Sequence, residues 1–70
     1  MEEWLVDLMA LCPKDIGWEA KRRWLILSRW PDAAVRAAEQ DARLGNPSAL
    51  EQYDLEVAVI KSAVPKSVNN

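Results

Sequence analysis

The chain has no histidine, no phenylalanine, one cysteine and two glycines among its 70 residues. Without histidine it lacks the commonest general base and the commonest metal ligand. Cys12 has no second thiol for an internal disulfide and no histidine to activate it. It therefore reads as a small buried apolar residue and favours a reducing compartment. Gly17 and Gly45 cannot build a glycine-rich phosphate cradle between them. No apolar run approaches the roughly 20 residues that cross a bilayer. Glu2 and Glu3 at the start lack the basic-then-apolar layout of a secretion signal. These absences predict a cytoplasmic chain with no cofactor, no metal and no catalytic site.

What is present reads as a folded domain. Half of the residues are hydrophobic and 29% are charged, which argues against disorder. A chain this short makes one domain and buries only about 60% of its unfolded surface. The net charge of −2 does not describe a general nucleic-acid binder. Its distribution is uneven. Residues 1–13 carry Glu2, Glu3 and Asp7 with no base, whereas residues 14–31 carry Lys14, Lys21, Arg22, Arg23 and Arg29 against Asp15 and Glu19. An acidic first helix beside a basic second one favours their packing as neighbours.

Punctuation divides the chain into four helical segments. The first runs from about Glu2 to Leu11, with Leu5, Leu8, Met9 and Cys12 on one side, Trp4 beside them and Asp7 facing away; Pro13 stops it. Asp15 or Gly17 opens the second, to Trp30, with Ile16 set to staple against Ala20. Pro31 begins the third, an alanine-rich stretch from Asp32 to Leu44 that lets a neighbouring helix come close. Gly45-Asn46-Pro47 marks a stop and restart, and Ser48-Ala49-Leu50-Glu51 fits a capping box. The fourth segment ends at Pro65. No alternating strand pattern competes. The expected fold is all-α, a small bundle of three to four short helices over residues 1–64 with a flexible tail at 65–70, and homodimerisation is one way to complete it.

Trp18, Trp24 and Trp30 are spaced by six residues, about 600° on a helix, so they point in three directions roughly 120° apart. Either the second helix is packed from several sides or it holds one face open. Ile16, Ala20, Trp24 and Leu27 make a plausible core stripe, with Trp30 at its edge. Opposite them Trp18, Arg22, Leu25 and Arg29 also align, and tryptophan, leucine and paired arginines are typical of interface hot spots. These four are the candidate partner-binding residues.

On the fourth helix Leu50, Tyr53, Val57, Ile60 and Val64 alternate by threes and fours. The first four are either intramolecular core or a dimer seam, and Leu55 with Val59 adds a second apolar patch. Glu51, Asp54 and Glu56 read as its solvated face. The leading functional expectation is a non-enzymatic protein-interaction module, an adaptor or inhibitor of the kind found among phage or mobile-element accessory proteins. It would act as a homodimer on an unidentified protein partner, away from membranes. A nucleic-acid-binding regulator using the basic helix 18–30 is the alternative from another class, although Lys21 and Arg23 diverge around the helix. The Gly45-Asn46-Pro47 junction is placed like that of a helix-turn-helix, but acidic residues on the fourth helix oppose phosphate. A structural or assembly subunit, or a chaperone, is the third reading.

Overall fold

A computed structural model describes residues 2–66, which form four α-helices and no strand. They are α1 (Glu3–Leu11), α2 (Trp18–Arg29), α3 (Asp32–Arg43) and α4 (Ser48–Ala63). The helices start and stop within about a residue or two of the positions that proline and glycine mark. Residues 67–70 of the expected tail lie outside the described residues. Pro65 and Lys66 are not helical.

The turn between α3 and α4 shows why glycine stands where it does. Gly45 has φ +98°, a conformation in which a Cβ is strained. Its N–H donates to the Ala42 carbonyl at 3.1 Å, and the Asn46 N–H donates to that of Asp41 at 2.8 Å. Those two bonds make a Schellman motif that satisfies the last carbonyls of α3. The restart differs from the expected capping box, because no side chain of the box caps the helix. Instead the Asn46 Oδ1 accepts from the Ser48 N–H at 3.4 Å, so the cap comes from before the proline.

The core is thin. Leu5 and Cys12 from the α1 region, Leu25 from α2, and Ile60 and Val64 from the end of α4 form its buried cluster. Trp4, Leu8, Met9, Ile16, Trp18, Trp24 and Ile26 pack around it, half-buried. The predicted inward side of α1 is therefore correct, with Asp7 exposed. Helix α4 packs chiefly on α3 and then α2, whereas α1 makes its main approach to α2. The α3–α4 contact uses the alanine face, where Ala38 is buried. On α4 the seam faces inward: Ile60 is in the core, and Leu50, Tyr53 and Val57 are half-buried.

Candidate functional site

The second helix is covered on parts of both stripes: Ile16 and Trp24 pack against the core cluster as expected, but Trp18 does so too. Leu25, expected on the partner-binding face, is 0% exposed, whereas Leu27, expected in the core, is 45% exposed. Ala20 is also exposed, whereas Ile16 packs on the core cluster as the expected stripe has it. The alignment of Trp18, Arg22, Leu25 and Arg29 on one stripe is correct, but that stripe is the seam between α2, α1 and the far end of α4.

Each arginine of the stripe has an intramolecular task. The Arg22 Nε donates to the Val64 carbonyl at 2.6 Å and its Nη2 to the Lys61 carbonyl at 3.2 Å. Carbonyls at the end of a helix have no partner within it and carry the negative end of its dipole, so a guanidinium there satisfies both needs. The same group lies 4.9 Å from the centre of the Trp18 ring, and the Lys66 ammonium approaches that ring at 6.0 Å. Trp18 is thus covered by cations of its own chain.

Arg29 lies 4.6 Å from the centre of the Trp4 ring, and its Nε donates to the Glu56 Oε1 at 2.6 Å. Glu56 is 5% exposed, which corrects its assignment to the solvated face of α4. Its carboxylate also accepts from the Trp30 Nε1 at 2.9 Å and from the Gln52 Nε2 at 2.6 Å. The hydrogen bond from Arg29 is the largest influence holding its pKa down to about 2, against the opposing effect of burial. Bonds from Gln52 and Trp30 add to the lowering. The Arg29 pKa is raised, first by the same bond. Trp30 completes the joint by meeting Tyr53 edge-on, with ring centres 5.5 Å apart and planes at 78°.

The three divergent tryptophans are therefore explained by packing from several sides. Trp18 meets Arg22, Trp24 borders the core and Trp30 meets α4. Two of the four basic residues considered for phosphate contact, Arg22 and Arg29, are occupied in the same way. That leaves Lys21, partly buried, and Arg23, exposed, on different sides of α2.

The open surface lies elsewhere, along a groove of about 470 Å³ lined by Leu5, Leu55, Ala58, Val59, Ser62 and Ala63. It lies where Leu5 of α1 meets the outer side of α4. Leu55 projects beside it, 63% exposed. A smaller cleft of about 220 Å³ shares Leu55 and Val59 and reaches Trp4 and Glu56. The Leu55–Val59 pair was visible in the sequence as a second patch, and the structure joins it to Leu5 across the gap between helices. The spacing of Ala58 and Ser62, one turn apart on the same side, is the signal that extends the pair into a stripe. Comparison with protein-family models, curated proteins and solved structures gives no match for this chain.

Among the described residues, no group of three or more His, Cys, Asp or Glu could hold a metal ion. No described helix is long and apolar enough to cross a membrane.

Proposed function

We propose that this chain is a small non-enzymatic protein-interaction module of the cytoplasm, an adaptor or inhibitor, that docks through the α1–α4 groove. The observation that carries the reading is the groove itself: a shallow, open apolar depression of about 470 Å³ whose lining includes a leucine left 63% exposed. Leu55, Ala58, Val59 and Ser62 follow helical spacing along one side of α4, and small residues in the middle let another helix approach closely. The docking face thereby moves from the Trp18–Arg29 stripe, whose leucine is buried and whose arginines are engaged, to the outer side of α4. A buried free thiol at Cys12 supports a reducing compartment.

The test is a photo-crosslinking residue in place of Ala58, used in cells that make the chain. A crosslinked protein adduct that disappears with Leu55→Lys is the expected result. Absence of any protein adduct, with the variant folded, would remove the reading.

A further inference from the structure

Resting on the reading of the groove as a docking surface, the geometry points to its occupant: a second copy of this chain, its α4 packed antiparallel to the first about a two-fold axis. The stripe Leu55, Ala58, Val59 and Ser62 has its midpoint between Ala58 and Val59. Half a turn of a copy about that midpoint brings its Leu55 over Ser62 of the first, where the small side chain leaves room, and the reverse contact follows by symmetry. Protrusion and notch thus occur on one face in the order that a self-complementary interface requires.

The charges obey the same symmetry. Asp54 and Lys61 are exposed and lie two turns apart on one flank of the stripe. The single salt bridge among the described residues is Arg29–Glu56, so neither is paired there. Antiparallel helices related by a two-fold bring like flanks together, which sets Asp54 of each copy near Lys61 of the other. Along the helix axis the two positions differ in register by about 3 Å, within reach of a lysine side chain. In a parallel pair unlike flanks would meet instead, and Asp54 and Lys61 of the two copies would lie on opposite sides of the seam. The thin core argues in the same direction, because chains of this length often complete their burial by associating.

Sedimentation equilibrium of the pure chain from low to high micromolar concentration tests the proposal, with circular dichroism confirming that each variant is folded. The wild type is expected to form dimers. Asp54→Lys and Lys61→Glu, made separately, are each expected to weaken self-association at least about tenfold. Mixing those two variants is expected to restore the dimer, because one copy then offers two cations to two anions. A wild-type chain that stays monomeric, reversals without effect, or a mixture that fails to associate would each overturn the antiparallel pair. A monomeric chain together with an Ala58-site crosslink to a different protein would overturn the second copy yet leave the docking reading standing. A chain giving no crosslink of either kind loses both.

Discussion

Arg29 and Glu56, 27 residues apart in sequence, join α2 to α4 through an Nε–Oε1 contact of 2.6 Å. The two ends of the pair sit in different surroundings. The Glu56 side chain is 7% exposed and the Arg29 side chain 38%, so the carboxylate is the member that cannot fall back on water. Its remaining lone pairs are met by Trp30 and Gln52, which makes the joint a network rather than an isolated bridge.

Removing either member of the pair should therefore be worse than removing both. Arg29→Met leaves a buried carboxylate with neutral donors only and should cost about 2 kcal/mol, a figure reduced for the solvent around the arginine. Arg29→Met combined with Glu56→Leu should cost less than the sum of the single changes, since the buried charge is gone. Urea denaturation of the four proteins in the cycle measures this. Additive costs would mean that the two side chains do not support one another.

The same carboxylate gives the fold an acid sensitivity of known sign. With its pKa lowered from 4.5 to about 2, Glu56 contributes stability that is full above the unfolded value and lost as pH falls from 4.5 towards 2. The contribution is on the order of 2 kcal/mol once solvent around Arg29 is allowed for. Thermal melts of the wild type and Glu56→Gln between about pH 6 and about pH 2.5 should differ most at the upper end and converge at the lower. A constant difference across that range would place the carboxylate's pKa at its ordinary value.

Leu25 and Leu27 decide which side of α2 is inside. Leu25→Ala empties a fully buried site and should cost about 2–4 kcal/mol, a large part of the stability of so short a chain. Leu27→Ala, at a half-exposed position, should cost less than about 1 kcal/mol. Denaturant midpoints for the two variants make the comparison. Equal losses would mean that both faces of the helix are covered.

The misassigned face shows where the sequence stops being informative. Helix boundaries are legible because Pro13, Pro31, Gly45 and Pro47 act locally, through φ and missing N–H groups. The facing of α2 depends on what lies opposite. Both of its stripes hold a tryptophan and a leucine, but one adds two arginines and the other an isoleucine and an alanine, so composition favours burying the second. What reverses the choice is remote: the free carbonyls at the end of α4 take Arg22, and Glu56 takes Arg29. One signal of this is in the sequence. Glu56 stands three residues after Tyr53 and four before Ile60, on the seam side of α4, where an acid implies a basic partner.

Arg22 makes the end of α4 depend on α2. Its two bonds to the Val64 and Lys61 carbonyls require the guanidinium fork, not merely a positive charge. Arg22→Ala should leave those carbonyls without their side-chain donor and uncover Trp18, costing about 1–2 kcal/mol. Arg22→Lys should recover only part of that loss, because an ammonium keeps the favourable dipole interaction but cannot span both acceptors. Hydrogen exchange locates the effect. Amides of the last turn of α4, whose bonding ends with the Val64 N–H donating to Ile60, should exchange faster in the alanine variant while those of α3 stay protected. Uniform acceleration across all four helices would show that Arg22 acts on the whole fold rather than on that terminus. Full recovery by lysine would show that charge alone suffices.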